Sequence, residues 1–321
     1  MHVLFWMKRH ITTSILVGMG VGFLIGLLVD MGGLSGWVLP LSFAMVFPMM
    51  VTLDFSQLLT RGNRRLQLVT QAVNFIYLPA LAWAVGWLFF RDTASYRIAL
   101  LLMALLPTSG MTVSWTVMAK GNVNEAVRMI VFGLLLGGLL APLYLGLFMG
   151  EAANVPFMAI VRQMVVIVFL PMGLGYLVRK AWVGRVGEAR FQTTVKPYFP
   201  AFSTLAVVTL IALVTGMRAP MLAADPWLLL RIALPLIVGY GVMVLSLHWL
   251  GSRLFVYADR IAMINGTMIR NLSLSLAIAL SVFDTMGAEI ALVVAVAYMV
   301  QVQAAGWYVR FSVAKQAFQP S

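Results

Sequence analysis

Ten apolar stretches, each about long enough to cross a lipid bilayer as a helix, follow one another along the 321-residue chain. Hydrophobic residues make up 62% of the sequence and charged residues 10%, whereas about 25% of the residues of a soluble domain are charged. The sequence therefore predicts an all-α, polytopic membrane protein with ten transmembrane helices. The predicted helices lie at 11–29, 34–52, 68–90, 97–119, 124–148, 156–178, 202–217, 226–250, 259–282 and 286–310.

The basic residues are concentrated in alternate loops. The chain has 22 Lys and Arg against 10 Asp and Glu, which gives a net charge of +12. The positive-inside rule predicts that the basic loops and both termini are cytoplasmic. The protein is expected to be integral to the cell membrane, that is, the plasma or inner membrane. The charge is thus a topology signal, and nucleic acid is not an expected partner. The loops of the basic side contain Lys8, Arg9, Arg61, Arg64, Arg65, Lys120, Arg128, Arg179, Lys180, Arg185, Arg190, Lys196, Arg253, Arg260, Arg310 and Lys315, and the other side contains Arg91, Arg97, Arg162, Arg218 and Arg231.

The chain is expected to form one integral membrane unit, residues 1–321, that divides near residue 150. The two parts, about 1–150 and about 151–321, each hold five predicted helices. An odd number of helices per part reverses the membrane orientation of the second part, as in an inverted-topology repeat. The longest polar stretch, 179–200, is expected to be a loop between helices six and seven.

Two predicted helices are interrupted at corresponding positions of the two repeats. Helix four contains LPTSG at 106–110, and helix nine contains INGT at 264–267, followed by Arg270 and Asn271. Backbone without helical hydrogen bonds is tolerated inside a bilayer only where it is buried in protein or lines a cavity. We expect the two breaks to face each other and to bind solute or ions. The alternative is that the proline and the glycine only kink their helices.

Four segments between helices two and nine carry a family resemblance. They are FPMMVTLDF at 47–55, NFIYLPALAW at 74–83, LPTSGMTVSWTVMAKGNV at 106–123 and RNLSLSLAIA at 270–279. The last three resemble the third-helix, fourth-helix and ninth-helix motifs of the bile acid:sodium symporter superfamily, and the first is most similar to its arsenite efflux permease branch. The resemblance implies two inverted five-helix repeats whose broken helices four and nine cross, and a transport cycle by alternating access.

The sodium ligands of that superfamily are incomplete here. By resemblance, a Ser-Asn pair follows the fourth-helix break in sodium-coupled members, whereas residues 112–113 are Thr-Val. Residues 126–136 of helix five contain no Ser or Thr, the expected acidic residue aligns with Gly266, and Arg270 stands in place of a polar ligand. A hard cation needs several oxygen ligands. We therefore expect a degenerate sodium site, with Asn74 as its remnant, no bound metal, and a fixed guanidinium instead of the cation.

Arg270 also indicates an anionic substrate. An arginine inside a membrane is costly, and it usually faces a cavity, a carboxylate or a substrate. Its planar fork suits carboxylates and oxyanions. The alternative is a structural role, either in an ion pair or in capping backbone carbonyls. The predicted substrate-binding residues are Asn74, Thr108, Ser109, Thr112, Ser114, Arg270, Asn271, Ser273 and Ser275.

These features together predict a secondary transporter of a small oxyanion or organic anion, with arsenite efflux as the leading specific function. The chain has no Cys, so arsenite would be bound without a thiolate. The alternatives are a sodium-coupled symporter of bile-acid-like or small organic anions and a membrane receptor that does not transport. The expected partners are the lipid bilayer and a small-molecule substrate, and no residue pattern indicates an oligomeric state.

The motifs of membrane enzymes are not found in the sequence. It contains no clustered aspartates for magnesium diphosphate, no glycine loop with lysine for a nucleotide, and no serine and histidine placed as a protease pair. The three histidines, His2, His10 and His248, form no spaced metal site. We therefore expect neither enzymatic activity nor a cofactor. Gln301 and Gln303 in helix ten are expected to hold helices together.

Overall fold

The computed structural model describes residues 2–58, 62–149, 157–225, 227–283 and 286–317. Nearly all of these residues are helical, and no β-strand occurs among them. The all-α prediction is therefore confirmed. The α-helices are α1 His2–Arg9, α2 Ile11–Leu28, α3 Val38–Val51, α4 Arg64–Ala72, α5 Leu78–Phe89, α6 Ala94–Leu105, α7 Met111–Met118, α8 Val123–Met149, α9 Phe157–Met164, α10 Leu170–Val186, α11 Glu188–Arg190, α12 Tyr198–Met217, α13 Ala219–Ala224, α14 Leu228–Leu254, α15 Tyr257–Met268, α16 Leu272–Val282 and α17 Gly287–Ala317.

Several of these α-helices are continuous with short 3-10 or π-helical segments. A 3-10 helix, Gly32–Trp37, leads into α3, and π-helical segments connect α4 to α5 (Val73–Tyr77) and α9 to α10 (Val165–Phe169). Within the described residues, seven helical stretches are long and apolar enough to cross a membrane. They are Gly32–Val51, Arg64–Phe89, Val123–Phe148, Val165–Val186, Glu188–Met217, Leu228–Leu254 and Gly287–Ala314. Membrane spans are therefore present, and the ten-helix inverted repeat stays a prediction.

The polar stretch 179–200, expected to be a loop, is mostly helical. Helix α10 continues to Val186, α11 and a π-helical segment, Phe191–Val195, follow, and α12 begins at Tyr198. Side-chain pairs one turn apart stabilise this stretch: Gln192 donates to Glu188 at 2.6 Å, and Lys196 donates to Gln192 at 2.7 Å. The prediction of a loop was wrong because polarity here marks an interfacial helical segment.

Helices α2, α3, α10 and α12 pack into one group, and α4–α8 with α14–α17 pack into a second. The closest approach in the first group joins α2 to α12. A Cβ atom on Gly22 would lie 2.0 Å from the Ala212 carbonyl oxygen, so only glycine fits at this contact. Small residues that let backbones approach are the usual means of packing helices in membranes. The second group contains both broken helices.

Candidate functional site

The break in helix nine lies later than the sequence predicted. Helix α15 continues through the expected break at 264–267, and the extended backbone is found at 269–271. Gly266 therefore lies inside a regular helix. A Cβ atom there would be 2.6 Å from Sδ of Met129 in α8, so the glycine makes room for a close side chain rather than interrupting the helix. The break in helix four lies at 106–110, as predicted.

The two breaks meet. Pro107 and Arg270 form an isolated antiparallel β-bridge, and the N–H of Asn271 donates to the Leu106 carbonyl at 2.9 Å. Backbone groups freed by one broken helix are thus satisfied by the other, which is the condition for irregular backbone in an apolar interior. We call this place, residues 106–110 with 269–271, the crossing. Its geometry agrees with the expectation that the two interruptions face each other.

Helix α8 forms one wall of the crossing. A Cβ atom on Gly133 would lie 3.0 Å from the Pro107 ring, and one on Gly137 would lie 2.9 Å from the Leu105 carbonyl oxygen. These glycines are one turn apart, so the first break rests directly against the α8 backbone. The wall is made by these glycines, and residues 126–136 of α8 carry no hydroxyl side chain.

Arg270 is 3% exposed, and its guanidinium is held by oxygen atoms that carry no formal charge. Nε donates to the Met103 carbonyl at 3.0 Å, Nη1 donates to the Thr267 carbonyl at 2.9 Å and to Asn74 Oδ1 at 2.6 Å, and Nη2 donates to the Ala104 carbonyl. Met103 and Ala104 lie at the end of α6, and Thr267 lies at the end of α15. One guanidinium therefore caps the C-termini of α6 and α15, the two helices that lead into the breaks, where a positive charge is favoured.

The backbone of Asn74 lies in the π-helical segment Val73–Tyr77, and its side chain is fully buried. Pro79 follows, and proline has no N–H for the carbonyl four residues earlier. That carbonyl, on Phe75, accepts a hydrogen bond from the hydroxyl of Tyr144 instead. The Asn74 carboxamide is thereby held against helix nine, where Oδ1 accepts from Arg270 and Nδ2 donates to the Gly266 carbonyl at 3.4 Å.

Gln301 in α17 is a site residue that the sequence did not reveal. Its Oε1 accepts from the Arg270 main-chain N–H at 2.7 Å, and its Nε2 donates to the Arg270 carbonyl at 3.3 Å. The Tyr240 hydroxyl donates to the same Oε1 at 2.9 Å. Gln301 thus hydrogen-bonds both main-chain polar groups of Arg270, which lies in the second break. It does join helices, as expected, whereas Gln303 is exposed.

The predicted polar residues of the second break are mostly engaged with the protein itself. Asn271 Oδ1 accepts from the Leu274 N–H at 3.2 Å and so caps α16. The Ser275 hydroxyl donates to the Asn271 carbonyl at 3.1 Å, and the Ser273 and Tyr298 hydroxyls pair at 2.5 Å. These side chains hold the start of α16 in place.

The residues after the first break divide into two sets. Thr108, Ser109 and Thr112 are buried at the crossing, whereas Ser114 is exposed on α7. Thr108 has a φ of 58°, a left-handed conformation that is strained for a β-branched residue. Its hydroxyl donates to the Pro107 carbonyl at 2.8 Å. The structure thus brings Asn74, Thr108, Ser109, Thr112, Arg270 and Asn271 to one place and leaves Ser114 apart.

The end of the fourth-helix motif has a different role. The Asn122 N–H donates to the Ala258 carbonyl at 2.9 Å, and its Nδ2 donates to Asp259 at 2.7 Å. Asn63 donates to the other Asp259 oxygen at 2.9 Å and, through its N–H, to Glu125 at 2.9 Å. These bonds tie together the N-terminal ends of α4, α8 and α15. We call this end of the helix group the Asn63 end.

Helices α7 and α16, which follow the two breaks, have different surroundings. Helix α16 is buried along nearly its whole length and packs against the neighbouring helices α3 and α9. Helix α7 packs against α8, α15 and α17, and its residues Val117 and Met118 are 55% and 59% exposed. Among the described residues, no group of three or more acidic or histidine side chains is placed to hold a metal ion.

Comparison with known proteins gives results that agree with one another. The sequence profile of the Sodium Bile acid symporter family matches residues 39–225. The arsenical-resistance protein Acr3 of Corynebacterium glutamicum is 24% identical over 305 residues, 88% of this chain and 80% of that protein. The protein of the same name from Alkaliphilus metalliredigens is 23% identical over 318 residues, 90% of this chain and 88% of its own. Mouse sodium/bile acid cotransporter 7 is 31% identical over 131 residues, 38% of this chain and 37% of its own.

Proposed function

Because the chain belongs to the sodium bile acid symporter family of membrane transporters, we propose that it is a secondary transporter that moves a small oxyanion or organic anion by alternating access. The observation that carries the proposal is the environment of Arg270. Among the residues that the structure describes, its guanidinium donates to three carbonyls and one carboxamide and to no carboxylate. The crossing therefore keeps an uncancelled positive charge, which favours an anion.

The proposed architecture has ten membrane helices in two inverted repeats, about 1–150 and about 151–321. The seven long spans support it, together with α2 and the broken pairs α6–α7 and α15–α16, which would add three more. We propose that the Asn63 end and both termini are cytoplasmic, because the loops there carry most of the basic residues. The whole chain would then form a single transport unit.

The positive charge would be a permanent substitute for a coupling cation. Arg270 donates to oxygen atoms of the kind that sodium binds, and the α8 wall offers glycines instead of hydroxyls. The favoured cycle therefore does not use sodium in two sites. The second candidate is a sodium-coupled symporter of bile-acid-like or small organic anions, which is favoured by the similarity to cotransporter 7. A non-transporting receptor would bind solute without accumulating it in vesicles.

The substrate would be bound by the charge of Arg270 and by the two helix N-termini at the crossing. Because most guanidinium N–H groups are already used, Arg270 would act on the anion mainly through its field. Helices α7 and α16 begin at the crossing, so their N-terminal dipoles are directed toward it. The proposed contributing side chains are Asn74, Thr108, Ser109, Thr112 and Asn271 at the crossing, with Ser273 and Ser275 in the first turn of α16. Ser114, which is exposed on α7, lies apart from them.

The unlike burial of α7 and α16 supports alternating access. Helix α16 is covered by α3 and α9, whereas α7 is partly exposed. In the proposed orientation, this corresponds to a state closed toward the outside and open toward the cytoplasm. Movement of the second helix group against the first would reverse this pattern.

Arsenite efflux is the specific function we propose first. Two similar proteins that align with most of the chain are named for arsenical resistance. The chain has no Cys, so hydroxyl and amide groups would have to bind arsenite, which near neutral pH is an uncharged trihydroxy species. The field of Arg270 would favour the oxygen-rich face of such a solute or its ionised form.

The test is arsenite tolerance and intracellular arsenic content in cells that lack their own efflux system. We expect cells expressing the wild-type chain to contain less arsenic, and cells expressing Arg270→Gln at the same level to contain as much as cells without the protein. Arg190→Gln changes an exposed arginine of α11 and should behave as the wild type. Unchanged arsenic content with well-expressed wild-type protein would overturn arsenite efflux. Organic anions would then be screened in vesicles, with Arg270→Gln as the control.

A further inference from the structure

Three carboxamide side chains lie on one face of the helix that leads to the crossing. Gln67 and Gln71 lie in α4, and Asn74 follows in the π-helical segment. Their spacing of four and three residues brings them onto the same side of the helix. Together they extend from the Asn63 end to the guanidinium of Arg270.

The first and last members of this row have protein partners. Gln67 Nε2 donates to the Glu125 carboxylate at 2.6 Å and to the Glu125 carbonyl at 3.1 Å. Asn74 accepts from Arg270 and donates to the Gly266 carbonyl. The row therefore begins at a buried carboxylate and ends at a buried guanidinium.

The middle member has no partner among the residues that the structure describes. Both Oε1 and Nε2 of Gln71 are buried and unpaired, and so is Oε1 of Gln67. Buried amide groups in native proteins are nearly always hydrogen-bonded, either to protein or to ordered water. Two donors and two acceptors left open on one side chain therefore indicate water at this position.

Two more unpaired oxygens lie on either side of Gly266 in α15. Within the described part of the chain, Asn265 Oδ1 and Thr267 Oγ1 have no hydrogen-bond partner, and both residues are fully buried. The Gly266 carbonyl between them accepts from Asn74. The unpaired polar atoms thus belong to α4 and α15, the two helices that lead to Asn74 and to Arg270.

We propose that the space between α4, α8 and α15 holds a short column of water that runs from the Glu125 carboxylate to the Arg270 guanidinium. Asn74 lies seven positions after Gln67 along the helix, a distance of about 10 Å at 1.5 Å per residue. About three waters at hydrogen-bonding distance, together with the Gln71 carboxamide, span such a gap. The ligand is water rather than a metal cation, because a cation would face the guanidinium at one end and the Gln71 N–H groups in the middle.

The column lies within the second helix group and is separate from the exposed side of α7. It would hydrate the guanidinium whether the space between the two helix groups is open or closed. Such hydration lowers the cost of an uncancelled charge in the protein interior.

Radiolytic footprinting of the purified full chain in detergent tests the proposal. X-rays generate hydroxyl radicals from water that is bound inside a protein, and mass spectrometry measures the oxidation of nearby methionines. Met129 is the reporter, because it is fully buried with its sulfur against Gly266. Met45, fully buried in α3 of the first helix group, is the buried methionine used for comparison, and Met118, 59% exposed on α7, is the exposed one.

We expect Met129 to be oxidised several-fold faster than Met45 in the wild-type protein. Gln71→Leu, which removes the polar groups at nearly constant volume, should lower the Met129 rate toward that of Met45 and leave Met118 unchanged. Gln303→Leu, on an exposed position of α17, should change none of the three rates. Equal rates for Met129 and Met45 in the wild type would overturn the proposal, and this comparison stands even if Gln71→Leu does not fold.

Discussion

Two buried arginines, Arg128 and Arg270, differ in what neutralises them. Arg128 is 8% exposed and contacts the Glu125 carboxylate three residues earlier in α8. Arg270 is 3% exposed, and within the described part of the chain its hydrogen-bond acceptors are carbonyl and carboxamide oxygens alone. The charge of Arg128 is cancelled where it sits, so that pair can stabilise a helix end. The charge of Arg270 is oriented and not cancelled, so it can act on a solute.

The largest effect should come from removing the carboxylate beside Arg128. Glu125→Ala leaves a buried guanidinium without this carboxylate and also removes the acceptor for Asn63 and Gln67. Breaking one side of a buried ion pair costs about 3–5 kcal/mol. We expect a corresponding drop in the free energy of unfolding, measured by thermal denaturation of the purified protein.

Glu188→Ala is the matched control, because Glu188 pairs with Arg179 but is half exposed. Exposed ion pairs contribute about 0–1 kcal/mol, so its stability should barely change. A Glu125→Ala protein that unfolds like the wild type but no longer transports would contradict the structural role of the Arg128 pair.

Replacing Arg270 should affect transport more than stability. Arg270→Gln leaves the ends of α6 and α15 without their cationic cap and removes the positive charge of the crossing. We expect the transport rate in proteoliposomes to fall about 100-fold, equivalent to about 2.8 kcal/mol.

Arg270→Ala should be partly rescued by guanidinium ion at low, non-denaturing concentration, since the ion can occupy the space of the missing group. Rescue would show that a guanidinium at this place, and not the rest of the arginine side chain, supports transport. An Arg270→Gln protein that transports at the wild-type rate would show that the charge is not used.

A smaller effect is expected from the residue that holds the Arg270 backbone. Gln301→Leu removes the partners of the Arg270 N–H and carbonyl, and one buried unpaired polar group costs about 1–3 kcal/mol. Transport should fall about tenfold, while Gln303→Leu, at an exposed position of the same helix, should have no effect. Equal rates for the two variants would show that Gln301 does not position the arginine.

The smallest effect is expected from removing sodium. If Arg270 supplies the positive charge, replacing sodium by choline on both sides of the vesicle should leave the initial transport rate unchanged. Loss of most transport in choline would favour the sodium-coupled alternative and would place a cation elsewhere than beside Arg270.

The helices and the first break could be predicted from the sequence because their signals are local. Apolar runs define the spans, and Pro107 marks an interruption that the structure places at 106–110. The second break was misplaced because Gly266 was interpreted as a helix breaker. The glycine in fact accommodates Met129, and the true break at 269–271 contains neither proline nor glycine.

The supporting contacts of the site could not be predicted, since they join distant segments. Gln301 lies 31 residues from Arg270 in sequence, and Asn74 lies 196 residues away. A buried glutamine in an apolar helix indicates that a partner exists, but only the packing of α17 against helix nine identifies it. The site residues proposed for substrate were recognised by motif, and their hydrogen bonds depend on the crossing itself.

The contact between Gly266 and Met129 makes an acidic side chain at position 266 hard to introduce by a single mutation. A side chain at 266 must first displace the Met129 sulfur, which lies 2.6 Å from the position of its Cβ atom. Position 266 is also followed by Thr267, whose carbonyl already accepts from the Arg270 guanidinium. An acidic side chain at 266 would therefore require a second substitution, at Met129, that makes room for it.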